Sequence, residues 1–384
     1  MTNLRDLVGP TAIYTSSPLA QTSSTASFTP PSSLLNIPES SKNIMNFFKS
    51  APLRLLAWIQ GVWQGQDKKQ SSGILNLPVD LVHCIADHLP VLDQVVLAQT
   101  CHDLRAVFYR PRYSPRHLSR REFLKYLAIL ARDMPDQWVC EVCNALHPVI
   151  TSDAPRLPER SSCHMESIHV DYNLALFNLK HRHVQLTLKY TRMAQLQRRY
   201  RDYLKLLLST TQSTFLTHQF VENPLTTLLI TRPKVVKGKY LLLSILEYRK
   251  KTKLVSPSTI GSLRVCKHQD IAFPSAQALR VFIRYGPQLL NLGLMDAVNK
   301  AFEADHRGTE IRGYCPGCPT DFTVRITPEH ATIKIWQDLG SEGSPLQPNW
   351  RVHTYEYYSF RPRPVEFFTY DKPGTIRSLY EKNR

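Results

Sequence analysis

The spacing of apolar and polar positions divides this chain into two regimes. Between Ile74 and Phe108 the apolar residues recur at helical spacing, in short runs broken by prolines. Leu81, Val82, Ile85 and Leu89 share one face of an expected helix, with Asn76 as its N-cap, Pro78 just inside its first turn and Pro90 as its stop. Asp93 is expected to cap a second helix carrying Val96 and Leu97. Thr100 with Asp103 reads as a capping box that opens a third, bearing Leu104, Val107 and Phe108. Helices this short bury little apolar surface alone, so they must pack on the rest of the chain or on a partner.

Helical spacing continues from Arg110 to Arg132, where Phe123, Leu124, Leu127, Ile129 and Leu130 outline a buried face and Asp133-Met134-Pro135 ends it. Residues 167–209 also read as helix, with His181 and His183 as surface or partly buried side chains. From Leu225 the pattern changes. Thr226–Ile230 and Val235–Tyr248 are rich in β-branched and aliphatic residues, and Lys237-Gly238-Lys239 is the turn between them. Residues 274–299 return to helix, while Phe322–Ile326 and Ala331–Trp336 alternate as strands. A tail with Trp350, Tyr355, Tyr357, Tyr358, Phe360, Phe367, Phe368 and Tyr370 reads as extended structure closing on a core. The expected fold class is α+β: a three-helix unit over residues 71–113, then a mixed α+β domain over residues 114–384.

The ends and the charge refine this picture. Residues 1–42 are rich in Ser, Thr and Pro and read as a disordered leader. Residues 43–70 interleave Phe47, Phe48, Trp58 and Trp63 with Lys49 and Arg54, as an amphipathic segment does; Pro52 splits it into short pieces that pack over a neighbour, contact with a membrane surface being the alternative. The formal charge of +17 on 384 residues points to an acidic partner, whether nucleic acid, a membrane surface or a protein. No apolar run has the length of a membrane-spanning helix and no secretory signal is evident. Eight cysteines then read as thiols and metal ligands in the cytoplasm, the nucleus or both.

Six of those cysteines carry the candidate chemistry. Cys140-Glu-Val-Cys143 and Cys315-Pro-Gly-Cys318 are knuckles whose spacing lets two thiolates face one tetrahedral zinc ion. Cys266-Lys-His268 adds a Cys-x-His pair, Cys163 precedes His164, and His147 stands four after Cys143. Two arrangements satisfy the ligand count. The preferred one has two structural zinc sites, Cys140, Cys143 and Cys163 with His147 (otherwise His164), and Cys266, His268, Cys315 and Cys318. The other joins the knuckles in a single Cys₄ site. Cys84 and Cys101 read as core residues of the first helices. Neither knuckle opens a helix after a strand as a redox pair does, and no Gly-x-Ser-x-Gly, His-Glu-x-x-His or phosphate-cradling loop is present, so enzyme activity is not expected.

The residues Leu77-Pro78, Leu81, Ile85, Leu89, Leu97, Thr100-Cys101 and Leu104 resemble the F-box. That resemblance implies three helices that dock on the adaptor subunit of an SCF-type cullin–RING ubiquitin ligase, with Leu77, Pro78, Leu81, Ile85, Leu89, Leu97 and Leu104 forming or supporting the docking face. The later motifs, Trp138–His147, Cys315–Phe322 and Trp336–Gly340, are similar to a group of fungal F-box proteins over roughly residues 70–380. This likeness implies an architecture and no target. The function so implied is that of a non-catalytic substrate-recognition subunit, linked through the adaptor to a cullin and holding a protein target on its zinc-stabilised domain. The alternative is a basic zinc-stabilised protein that binds nucleic acid, whose affinity would fall steeply with salt.

Overall fold

The computed structural model describes residues 73–109, 111–156, 163, 172–174, 177–216, 226–249, 255–256, 260, 263–266, 268–270, 293–354 and 372–382. The leader, the amphipathic segment, His164, residues 274–292 of an expected helix and the tail aromatics from Tyr355 to Tyr370 lie outside the described residues. The chain from Gly73 onward forms one unit.

Its first helices are α1 (Val79–Asp87), α2 (Val91–Thr100) and α3 (His102–Val107). The N-cap of α1 is Pro78 and not Asn76, which belongs to a preceding single turn, Gly73–Asn76. Proline is fixed near the φ this position needs, here −52°, and its carbonyl accepts from the Leu81 and Val82 N–H groups. Pro90 does the same for α2, so Asp93 sits inside the first turn, where its charge suits the helix dipole, and is not the cap. The box expected at Thr100 is also displaced. Thr100 ends α2 with its hydroxyl donating to the Leu97 carbonyl, and the extended Cys101 caps α3 through Sγ, which accepts from Leu104 N–H at 3.4 Å. Val82, Ala86, Ala98, Leu104, Phe108 and Tyr113 form the small core of this region.

Helix α4 (Arg120–Ala131) opens with a capping box, in which Ser119 Oγ accepts from Glu122 N–H and the Glu122 carboxylate accepts from Ser119 N–H. It buries Leu124, Leu127 and Ala131, spaced three and four apart, against Val95 of α2 and Val139. Val139 lies on β1 (Gln137–Cys140), which pairs with β2 (Ala145–Pro148) as an antiparallel hairpin. A second short hairpin, β3 (Tyr172–Leu174) with β4 (Phe177–Leu179), interrupts residues expected to be helical throughout. Helices α5 (His181–Arg192) and α6 (Arg198–Leu207) follow.

Six antiparallel strands form the main sheet, in the order β10 (Ile311–Tyr314), β11 (Thr320–Ile326), β12 (His330–Ser341), β7 (Lys239–Arg249), β6 (Thr226–Val236), β5 (Thr211–Leu216). The β6–β7 turn is Lys237-Gly238, both with positive φ (50° and 71°), as a two-residue hairpin of matching twist requires. Strand β7 is apolar from Tyr240 to Leu246 except at Ser244, because both its faces are covered. On one face Tyr240, Leu242, Leu246, Ile333 and Ile335 meet Val184 and Leu188 of α5 and Val298 of α7 (Leu294–Phe302), with Trp350 of α8 (Pro348–Arg351). On the other, Leu241, Leu243, Ile245 and Trp336 meet Ile376 and Tyr380 of α9 (Thr375–Glu381). Near this sheet β8 (Arg264–Cys266) pairs with β9 (Gln269–Asp270). The fold is α+β, and no helix among the described residues is long and apolar enough to cross a membrane.

Candidate metal centres and docking face

Helix α1 divides its apolar residues between two sides. Val82 and Ala86 are buried, whereas Leu81 and Ile85, one helical turn apart, are 50% and 40% exposed. The sequence reading put Leu81, Val82 and Ile85 on one face. The 100° step between Leu81 and Val82 lets the core take one and leave the other outside. Leu75, Leu77, Val79 and Val91 join Leu81 and Ile85, so six of the ten exposed large apolar side chains among the described residues fall between residues 75 and 91. Pro78 is exposed beside them, Leu89 and Leu97 are half-buried, and Leu104 lies in the small core. Leu104 therefore supports this face from beneath.

The β1–β2 hairpin carries the first cysteine group. Its register sets Trp138 opposite His147 and Cys140 opposite Ala145, leaving residues 141–144 as a tight turn with Asn144 in the left-handed region at φ 50°. The potential ligand atoms of Cys140, Cys143, His147 and Cys163 all lie within 4.8 Å of one another. Cys143 N–H points at Cys140 Sγ (3.4 Å), and Cys163 Sγ lies 3.7 Å from Cys140 Sγ and 3.0 Å from Cys143 Sγ. Thiolates on one tetrahedral zinc ion, with bonds of about 2.3 Å, stand about 3.8 Å apart. The Cys140–Cys163 spacing meets this value and the Cys143–Cys163 spacing is tighter. Cys140 and Cys163 are buried, Cys143 and His147 half-buried.

The second group is Cys266, His268, Cys315 and Cys318, also within 4.8 Å and buried throughout. Its cysteines belong to the main sheet's core. His268 Nδ1 lies 3.5 Å from Cys315 Sγ and 3.9 Å from Cys266 Sγ, near the roughly 3.5 Å expected between N and S donors on one zinc ion. Gly317 makes room for that ring, since a Cβ there would stand 3.1 Å from His268 Cγ. Thr320 closes the knuckle on both sides: its carbonyl accepts from Cys315 N–H and its N–H donates to the Cys318 carbonyl. The knuckles thus belong to separate groups, each with one histidine, and do not meet in a single Cys₄ set. Both donor sets are compatible with zinc.

Burial sets the protonation of these thiols. It raises Cys140, pushes Cys143 up to about 11, and holds Cys266 and Cys318 well above the usual thiol range. Burial acts on Cys315 too, but hydrogen bonds from Cys266, Cys318 and His268 prevail and bring it down. A metal entering either group must therefore displace protons.

Sequence reasoning missed a buried network beside the first group. Arg182 Nε and Nη2 donate to the two Asp153 oxygens at 2.6 and 3.2 Å, and His183 Nε2 lies 3.0 Å from Asp153 Oδ2. His183 Nδ1 accepts from Lys180 N–H, so the ring's proton sits on Nε2 and donates to Asp153. His183 is consequently buried, not a surface side chain, because the first turn of α5 points it at Asp153. Tyr203 OH donates to the Asp153 carbonyl, and Lys189 Nζ donates to the Met134 and Gln137 carbonyls. Nothing periodic marks Asp153, a loop residue 29 positions from Arg182. Sequence reasoning also passed over the Ser119-x-x-Glu122 capping box, whose local spacing is a signal that could have found it.

The F-box domain family matches residues 74–113. The chain therefore carries an F-box domain, and the exposed aliphatic face described above lies within it or at its edge. F-box proteins are in general substrate adaptors of SCF-type ubiquitin ligases, joined through an adaptor subunit to a cullin. No curated protein and no solved structure matches the chain.

Proposed function

We propose that this chain is the substrate-recognition subunit of an SCF-type ubiquitin ligase, docking through its F-box and holding a protein target on the domain that follows. One observation carries the reading: Leu77, Leu81 and Ile85 stay exposed in the matched F-box, with Val79 and Val91 beside them. An apolar face of this kind is what a partner covers. Leu77, Pro78, Leu81, Ile85, Leu89 and Leu97 supply the docking surface, and Leu104 props it. The chain contributes no catalysis of its own. It acts in the cytoplasm, the nucleus or both, as a member of the fungal F-box group with cysteine-rich C-terminal regions.

Each cysteine group holds one structural zinc ion, through Cys140, Cys143, His147 and Cys163 and through Cys266, His268, Cys315 and Cys318. Four protein donors per ion leave no open position for a reacting water. Retention of the cullin adaptor in a pull-down tests the docking role. The wild-type chain should retain it, and a Leu77→Ala/Pro78→Ala variant should not. Binding by both, or by neither, refutes the assignment. Elemental analysis tests the metal, with about two zinc per chain expected.

A further inference from the structure

The β1–β2 hairpin, which carries Cys140 and Cys143, lies where the F-box meets the domain behind it, while Cys140 and Cys163 themselves pack with Leu186 and Tyr190 of α5. Val95 of α2, Leu124 and Leu127 of α4, and Val139 and Leu146 of the β1–β2 hairpin share one apolar cluster. Arg120, the first residue of α4, donates through Nη2 to the Glu141 carbonyl (2.8 Å) and through Nε to Asn144 Oδ1 (3.2 Å). Both acceptors lie in the turn of the first knuckle. From the other side, Arg351 of α8 donates to the buried Glu141 carboxylate at 3.0 Å. Gln185 of α5 accepts from Val139 N–H at 2.8 Å, and Lys189 donates to the Gln137 carbonyl at 2.6 Å. Residues 137–144 are thus held by α4 on the F-box side and by α5 and α8 on the target-domain side. The Arg120 and Arg351 contacts depend on the turn keeping its shape, and within it Asn144 takes a positive φ of 50°.

We infer that the metal of the first group is the lock of this joint, fixing the F-box and α4 at one angle to the domain that holds the target. The inference rests on the zinc reading above. The metal would pin the knuckle that Arg120 and Arg351 grip and tie it to Cys163, which lies 20 residues beyond Cys143. The second group has a different task, since its ligands are enclosed in the sheet's own core. Loss of the first metal should loosen the joint while each half stays folded, so docking persists and the geometry of presentation is lost. Cys143 and His147 are half-buried, which makes the first ion the one a chelator reaches first.

The test compares the full-length wild-type chain with Cys143→Ser by metal content, hydrogen exchange and adaptor retention. The variant should hold one zinc fewer and still retain the adaptor. Amides of residues 137–148 and of the first turn of α4 should exchange at least about ten-fold faster, with those of β7 and β12 unchanged. Unchanged exchange in α4 with one zinc lost overturns the lock, and so does equal acceleration in β7 and β12. If the wild type binds no zinc, the metal reading fails, and the lock with it. If it binds two and only the α4 response is missing, the lock alone fails. Should Cys143→Ser not accumulate as folded protein, wild-type chain stripped of one metal equivalent by a chelator provides the same comparison.

Discussion

The segment from Leu75 to Val91 and strand β7 are both rich in aliphatic residues, and they use them in opposite ways. In the first, six large apolar side chains face out and the helix buries Val82 and Ala86. In the second, every residue from Tyr240 to Leu246 is buried, because helices cover both faces of the sheet. The sheet side therefore gains stability from its aliphatics, at about 25 cal/mol per Å² removed from water. The F-box forgoes that gain at its surface and keeps the same area available for a partner. Damage to the sheet side should appear as unfolding, and damage to the F-box face as lost binding in a folded chain.

The largest effect is expected at the second cysteine group. Cys318→Ser removes one of the proposed zinc ligands from the sheet's own core. Structural zinc contributes an apparent 10–16 kcal/mol or so in small metal domains, as much as the whole stability of a typical domain. The variant should lose one zinc and its cooperative thermal transition by circular dichroism. A normal transition with one zinc lost would show that the sheet does not depend on this metal.

Next in size is Asp153→Ala, which removes the carboxylate that pairs with the buried Arg182 guanidinium. Breaking a buried pair from one side costs about 3–5 kcal/mol, readable as a lower urea midpoint. The same site has a pH signature. Burial works to raise the Asp153 carboxyl, but the hydrogen bonds from His183 and Arg182 outweigh it and hold the group at about 2. A folded value below the unfolded one, about 3.9, means this stability is present above the unfolded value and is lost as pH falls through the folded one. About 2 kcal/mol should disappear between roughly pH 5 and 2 in the wild type and be absent from the variant. Identical acid limbs in the two proteins would contradict the role given to Asp153. Smaller still is Gly317→Ala, whose Cβ would press on the His268 ring. Overpacking of this kind costs about 1–3 kcal/mol, and zinc should leave the second group more readily in a competition with a chelator. Unaltered metal retention would show that the ring has room to move.

Much of the architecture could be read from local pattern. The β6–β7 hairpin announces itself through Lys237-Gly238, where the turn needs positive φ, and the cysteine sets through knuckle spacing with one histidine apiece. What escaped was decided by contacts distant in sequence. Leu81 and Val82 are neighbours of equal hydrophobicity, and only the position of Leu104 and Phe108 selects Val82 for the core. Thr100 is the better capping residue by type, yet α2 runs through it and the one extended residue is Cys101. Residues 172–174 and 177–179 have helix-compatible spacing but pair as antiparallel strands just before α5. The Asp153–Arg182–His183 network joins a loop to a helix across 29 and 30 positions, and neither end carries a signal of the other.

The smallest expected change in stability is also the sharpest test of the comparison. Leu81→Gln with Ile85→Gln replaces two exposed aliphatics on α1 by a good helix former that hydrates well. Neither side chain fills the small core, so the melting curve should move by no more than about 0.5 kcal/mol. Adaptor retention should nonetheless be lost, since the two residues sit one turn apart at the middle of the exposed face. Val82→Gln, one position away, should do the reverse: it buries an amide among Ala86, Leu104 and Phe108 and unfolds the F-box. If the double variant retained the adaptor, the exposed face would not be the docking surface. If it unfolded, Leu81 and Ile85 would be core residues after all, and the F-box would treat its aliphatics just as the sheet does.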